Sequence, residues 1–286
     1  MSAGGLAVPP AVVRPITSRR RRRLPPSVLV GGGIVLVLMV AGFAAPLIAP
    51  YDPNEVDFLN VVSPPSPAHL MGTDDTGRDV LSRTLYGLRV DLVVVLVVTY
   101  LPLPVGVVMG AVAGFRGGLV DTVVSRLTDI MISFPFIVLV IAIVAIVGPG
   151  LTGVVIGIPI VSWALYARLA RSQMLLLREQ PFMLAATALG YRQSRIIFRH
   201  GIPNLLRPCL VYSTIDVVLN LLVIAGLSYL GLGQQPPGAE LGTIIAAGQS
   251  NLLDAWWIAT LPGLVLVLFG VGMGLVGDGL SDREEA

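Results

Sequence analysis

The segment "PFMLAATALGYRQSRIIFRHGIPN", residues 181–204, separates two strongly apolar runs of the chain. Its first half is rich in alanine, and its second half carries three arginines at helical spacing, Arg192, Arg195 and Arg199. Residues three or four positions apart lie on one side of an α-helix. The pattern therefore predicts two short helices with different faces, which is more structure than a simple connection between two apolar runs requires.

The composition around this segment indicates a membrane protein. The chain has 286 residues, of which 55% are hydrophobic and 13% charged, and the mean hydropathy is +0.84. Soluble domains carry about 25% charged residues. The apolar residues also come in long blocks, as membrane spans require. The net charge of +2 gives no indication of a nucleic-acid partner.

Uncharged stretches of membrane-spanning length predict an all-α polytopic membrane protein with six transmembrane helices. Most of the stretches contain proline, which membrane helices tolerate when neighbouring groups satisfy the freed carbonyl, so we interpret the prolines as kinks. The six stretches are residues 28–49, 92–115, 130–148, about 151–167, about 208–232 and 255–276.

The basic residues predict the orientation, because arginine and lysine concentrate in cytoplasmic segments. All 19 basic residues are arginine, and they cluster in the arm 1–27 and in the segment 168–207. The loop 51–91 has three arginines against seven acids, so we expect it outside the cell. The expected organisation is a disordered cytoplasmic arm, a permease domain at 28–280 and a cytoplasmic tail at 281–286, with both termini inside. Cleavage of the first span as a signal peptide is disfavoured by its length.

The quoted segment has features of a docking helix. Pro181 suits the first turn of a helix, and Gly190 suits its C-terminal stop. One face would carry small and apolar side chains, and Pro203 would end the second helix. Two interpretations remain open: an interfacial helix held by lipid phosphates, or insertion of the small face into a protein groove. The residues of that face are Phe182, Ala185, Ala186 and Leu189.

A second candidate site lies in the fifth span. Cys209, Ser213, Asp216 and Asn220 share one helical face by their spacing. A carboxylate at mid-membrane costs roughly 2.5–3.5 kcal/mol. We therefore expect this face to line a transport path, to meet a partner subunit or to form a structural hydrogen-bond network.

Small residues at helical spacing also occur in the second and sixth spans. Glycine at every fourth position permits close contact between membrane helices. The positions are Gly106, Gly110 and Gly114 in the second span, and Gly270 and Gly274 in the sixth.

The sequence gives no indication of an enzyme, a metal site or a cofactor. The absence of lysine excludes a phosphate loop of the GxxxxGK[ST] type. One cysteine and two histidines provide no zinc-ligand spacing. Neither a GxSxG nor an HExxH motif is present.

Motifs along most of the chain resemble those of one family. The quoted segment is similar to the E-A-A-x3-G-x9-I-x-L-P signature of ABC-importer permeases, with matches at Ala185, Ala186, Gly190 and Pro203. Leu184 replaces the glutamate of that signature. The sequences "HLMGTDDTGRDVLSRTLYGLRVDL", "LSYLGLG" and "GDGLSD" resemble the C-type permeases of dipeptide, oligopeptide and nickel importers.

The resemblance implies a type I importer fold in which residues 168–207, hereafter the coupling segment, dock onto a cytoplasmic ATPase. It also implies a homologous second permease, one or two ATPase subunits that bind ATP and Mg, and an extracytoplasmic substrate-binding protein. The expected function is peptide import through the cell membrane. A nickel or other small-solute importer, and a standalone channel or carrier, are the alternatives.

Overall fold

The computed structural model describes residues 25–285, with the backbone alone for residues 282–285, and it is helical in this range. The predicted arm therefore falls outside the described residues up to residue 24. The helices, in chain order, are α1 Pro26–Phe43, α2 Ala45–Ile48, α3 Val80–Tyr100, α4 Pro102–Arg116, α5 Gly118–Ser133, α6 Phe136–Val147, α7 Leu151–Leu177, α8 Pro181–Ala188, α9 Gln193–Ile196, α10 Ile202–Tyr229, α11 Leu241–Gly248 and α12 Trp257–Glu285.

Five helical segments of the described chain are long and apolar enough to cross a membrane. They are Pro26–Phe43, Val80–Arg116, Leu151–Leu177, Gln193–Tyr229 and Trp257–Ser281. A sixth span exists if α5 and α6 form one, although they are bent by 89° at their junction. The all-helical fold is confirmed, with five or six spans.

The third predicted span, residues 130–148, is not a straight helix. Phe134 has an extended backbone at the end of α5, and Pro135 caps α6. A residue before proline is pushed away from the helical region, which explains the break here. Pro159 and Pro262, in contrast, lie inside continuous helices.

The second predicted span begins too late, since helix α3 starts at Val80 instead of near Leu92. The folded loop of residues 49–79, hereafter the cap, covers the start of α3, where the charged side chain of Arg83 is buried. The Arg83 guanidinium donates to the carbonyl of Pro53 at 2.9 Å. Hydrophobicity alone therefore missed a helical end that polar contacts stabilise.

The cap is held together by hydrogen bonds. Asp79 caps α3 by accepting from the backbone N–H of Ser82 at 2.8 Å, and its other oxygen lies 3.0 Å from His69 Nδ1. Trp257 Nε1 donates to the carbonyl of Thr73 at 3.2 Å, which joins the cap to the start of α12. The loop thus presents an ordered surface.

A short helix, α11, packs between the bundle helices α3, α10 and α12. Glu240 begins it by accepting from the N–H groups of Gly242 and Thr243. Burial raises the pKa of the Glu240 carboxyl above its usual range. Asp91 of α3 accepts from the N–H of Leu241 at 3.2 Å, so α3 holds the same helix end.

Close contact between α4 and α7 depends on the glycines of the second span. A β-carbon added at Gly106 would lie 2.5 Å from the Trp163 carbonyl oxygen, and one at Gly110 would overlap the Ala167 carbonyl oxygen. In α12 the two predicted positions differ. A β-carbon added at Gly270 would be in ordinary contact with Val218 of α10, at 3.7 Å, whereas one at Gly274 would meet nothing within 4 Å. Tighter contacts of α12 involve other glycines, such as Gly272 against Gly31 of α1.

Candidate functional site: the coupling segment and the polar groove of α10

Helix α8 is a short, well-terminated element between α7 and α9. Pro181 occupies its first turn. At the other end Gly190 has φ +74°, its N–H donates to the Thr187 carbonyl, and the N–H of Tyr191 donates to the Ala186 carbonyl. This pair of bonds is a Schellman motif, in which glycine at the left-handed position stops the helix. The predicted helix stop at Gly190 is therefore present.

One side of α8 packs against the protein and the other is exposed. Met183 and Ala186 are buried, at 0% and 6% exposure, and belong to the cluster formed with α4, α7 and α10. Phe182 and Leu189 are 45% and 72% exposed. The predicted face therefore needs correction at Ala186, because that side chain points into the protein's own core.

The exposed side of α8 consequently carries mainly apolar side chains. Phe182, Leu184, Ala185 and Leu189 all lie on it, and Leu184 is 57% exposed. A β-carbon added at Gly190 would meet nothing within 4 Å, so the helix end is open to a partner. Hereafter these five residues are called the α8 face.

The second helix of the coupling segment does not end at Pro203, contrary to the prediction. Helix α9 continues through a π turn, Ile197–Gly201, directly into α10, so residues 193–229 form one helical segment. The N–H of Ile202 donates to the Ile197 carbonyl. Pro203 then falls in the first turn of α10, where a missing N–H breaks no α-helical bond. This correction makes the coupling segment continuous with a membrane span.

Two isoleucines at the junction of α9 and the π turn attach this part of the coupling segment to the core. Ile196 and Ile197 are 1% exposed and contact the same core cluster as Met183 of α8 and Met174 of α7. Arg195 lies over the Tyr191 ring at 4.5 Å. Displacement of α8 would therefore be passed to α7 and α10 through packed side chains.

Three arginines in and directly after α7 form contacts within the chain, whereas the sequence used them only to predict the orientation. Arg171 forms two hydrogen bonds with Asp121 of α5, one of 2.7 Å. Arg168 contacts Asp129 at 2.9 Å, and Arg178 donates to the Gly114 carbonyl at 3.2 Å. These contacts tie α7 to α4 and α5 next to the coupling segment.

The polar residues of α10 lie on one buried side, as their spacing predicts. Asp216 is 4% exposed and Asn220 is 1% exposed. Asp216 Oδ2 accepts from Tyr166 Oη at 2.8 Å and from Asn220 Nδ2 at 3.1 Å. Asn220 Nδ2 also lies 3.0 Å from Thr99 Oγ1. The network joins α3, α7 and α10.

Ser213 and Cys209 contribute less to this network. Ser213 Oγ donates to the Leu210 carbonyl at 2.7 Å, and it lies 3.4 Å from Tyr100 Oη. Cys209 is buried in the core cluster below α8. Sequence analysis missed Tyr166 and Thr99, because one hydroxyl inside an apolar span does not reveal its partner.

Beside this network is a groove of about 430 Å³ that Asp216 and Asn220 line together with apolar side chains of α6, α7 and α10. Among the described residues no group of three or more His, Cys, Asp or Glu could hold a metal ion. The arrangement therefore offers one carboxylate and one amide in an apolar surrounding.

The fold is that of a polytopic helical membrane protein, with five or six candidate spans among the described residues. The chain belongs to the family of binding-protein-dependent transport system inner membrane components, whose model matches residues 106–284. The model of the N-terminal TM domain of oligopeptide transport permease C matches residues 19–65.

Individual relatives agree with this family. The chain is 38% identical over 247 residues to the probable D,D-dipeptide transport system permease protein DdpC of Escherichia coli (strain K12), covering 86% of this chain and 83% of that protein. It is 39% identical over 255 residues to the di/tripeptide transport system permease protein DppC of Pseudomonas aeruginosa (strain UCBPP-PA14), covering 86% and 84%.

A solved structure supports the fold. An inward-facing form of the MetNI methionine ABC transporter is similar with a TM-score of 0.54 and 22% identity, covering 68% of this chain and 93% of that chain. This similarity confirms the importer permease fold.

Proposed function

We propose that the protein is the permease subunit of an ATP-driven importer of short peptides. The observation that carries the proposal is the α8 face, an apolar exposed surface on a helix whose Met183 and Ala186 share a buried cluster with residues of α7 and α10. Relatives that cover most of the chain are dipeptide permeases by name. The energy source is a partner ATPase that binds ATP and Mg.

The proposed mechanism is alternating access without chemistry in this chain. ATP-driven closure of the ATPase subunits moves α8, and the movement reaches α7 and α10 through Met183, Ile196 and Ile197. Because packed cores switch between discrete arrangements rather than deforming continuously, a small shift at α8 is amplified along long helices. Leu184 replaces the signature glutamate, so docking here relies on shape and apolar contact.

A homologous second permease completes the path in this proposal. Helix α1 is mostly exposed, with only 11% of its residues buried, and exposed apolar side chains such as Leu219 and Leu222 lie at the groove of α10. In this proposal lipid covers helix α1, and the second permease faces the groove of α10. The ordered outer cap meets the substrate-binding protein, and both termini are cytoplasmic.

Photo-cross-linking tests the docking step. Benzoylphenylalanine at position 189, where Leu189 is 72% exposed, should cross-link to the ATPase subunit in membranes. The control places the same group at Leu253, which is 97% exposed in the segment between α11 and α12. Equal cross-linking from both positions, or from neither, would contradict docking through the α8 face.

Transport assays test the solute. We expect proteoliposomes with all partner subunits to accumulate labelled dipeptides and tripeptides only with ATP. Uptake of nickel in place of peptides would assign the complex to the small-solute importers.

A further inference from the structure

The groove beside α10 has a mostly apolar lining that contains one acidic side chain. Two polar side chains, Asp216 and Asn220, meet six apolar ones in a volume of about 430 Å³. No basic residue is among the described lining residues. The apolar ones are Phe136, Ile137, Leu165, Leu219, Leu222 and Val223.

The two oxygens of Asp216 differ in their surroundings. Oδ2 accepts hydrogen bonds from Tyr166 and Asn220. Oδ1 accepts none from the described residues, and it is not among the buried atoms that lack a partner, so it opens onto the groove. The residue as a whole is nevertheless 4% exposed. One oxygen is thus fixed by the protein while the other is directed at the space in the groove.

The fixed oxygen orients the free one. Tyr166 comes from α7, and Asn220 lies one turn beyond Asp216 on α10 and is itself held by Thr99 of α3. Three helices therefore position the carboxylate. Such support is typical of a site that must meet a ligand in one geometry.

We propose that Asp216 is a binding site for a primary ammonium group, through which the permease holds the amino terminus of a peptide during passage. A carboxylate that keeps its charge in an apolar groove is stabilised by a positive partner. An ammonium donates up to three hydrogen bonds, of which Asp216 Oδ1 accepts one. The apolar walls then contact the carbon atoms next to the amine.

A metal cation fits this groove less well. Nickel and similar ions are held by several nitrogen, sulfur or carboxylate ligands. The described lining supplies one carboxylate and one amide, without histidine or cysteine. The proposal rests on the proposed function, since it names the part of the transported solute that Asp216 binds.

The test uses the purified complex of permease and ATPase subunits in detergent, without the binding protein. The probe is dansylcadaverine, a fluorescent primary amine with an apolar body, and its N-acetylated derivative is the uncharged comparison. We expect the wild-type complex to bind the amine at least tenfold more tightly than the acetylated derivative. Equal affinities in the wild type would overturn the proposal without any variant.

Two variants sharpen the test. Asp216→Asn keeps an oxygen that can accept from Tyr166 and Asn220 while removing the charge, and it should weaken amine binding at least tenfold. Asp254→Asn, at an exposed carboxylate outside the groove, should leave it unchanged. Unaltered amine binding in Asp216→Asn would refute the site, and an equal loss for the acetylated probe would indicate a structural role only.

The outcome is separable from that of the proposed function. Failure of the wild-type complex to import dipeptides would refute peptide transport, whereas amine binding is measured on the purified complex in either case. Normal dipeptide import together with equal binding of both probes would refute only the ammonium site.

Discussion

Replacement of Gly190 by arginine should uncouple ATP hydrolysis from transport. Gly190 has φ +74°, a conformation that costs an L-residue about 1–2 kcal/mol. A β-carbon there meets nothing within 4 Å, so no clash adds to this cost within the subunit. The loss is confined to the end of α8, because Met183 and Ala186 stay packed. The complex should therefore still assemble.

The larger effect of Gly190→Arg comes from the side chain, which would project into the space that the ATPase occupies in our account. We expect dipeptide uptake in proteoliposomes to fall at least tenfold, while ATP hydrolysis stays within threefold of wild type. Gly190→Ala carries the same backbone cost without the bulk, so its uptake should fall less than threefold.

A control for backbone strain is available at Gly117. This residue follows α4, has φ +67° and ψ −158°, a region that essentially only glycine adopts, and also has nothing within 4 Å of an added β-carbon. Gly117→Arg should therefore carry a larger backbone cost than Gly190→Arg but leave uptake within threefold of wild type. Equal loss of uptake in the two arginine variants, or unchanged uptake in Gly190→Arg, would refute the reasoning.

Three further predictions concern stability. Gly110→Val should destabilise the complex by about 1–3 kcal/mol through overpacking against α7. Gly274→Val is the control, because its side chain has room. The thermal midpoint of Gly110→Val should be lower than that of Gly274→Val, and equal midpoints would contradict the close contact. Glu240→Ala removes the cap of α11 and should cost about 1 kcal/mol, seen as faster proteolysis after that helix; an unchanged rate would contradict it. Tyr166→Phe removes one hydrogen bond to Asp216 and should cost about 0.5–1.5 kcal/mol, and an unchanged thermal midpoint would contradict that bond.

Periodicity and local turn chemistry predicted the parts of the structure that depend on neighbouring residues. The Schellman end at Gly190 and the shared face of Asp216 and Asn220 both follow from spacings within one helix. The resemblance to ABC-importer permeases, in turn, predicted the family whose model matches residues 106–284.

Features that depend on distant residues could not be read in the same way. The start of α3 at Val80 requires the cap to bury the charged side chain of Arg83, and Ala186 turns inward because α9 and α10 cover that side of α8. The continuity across Pro203 depends on a π turn that accommodates the proline. Tyr166 reaches Asp216 across 50 residues of sequence.

The central claim is that this subunit imports peptides at the expense of ATP hydrolysed by a partner. The most direct measurement is uptake of a labelled dipeptide by proteoliposomes containing both permeases, the ATPase subunits and the binding protein, with ATP or a non-hydrolysable analogue. Our account predicts accumulation against a gradient with ATP and none with the analogue. Equal uptake under both conditions, or with the ATPase subunits omitted, would contradict it.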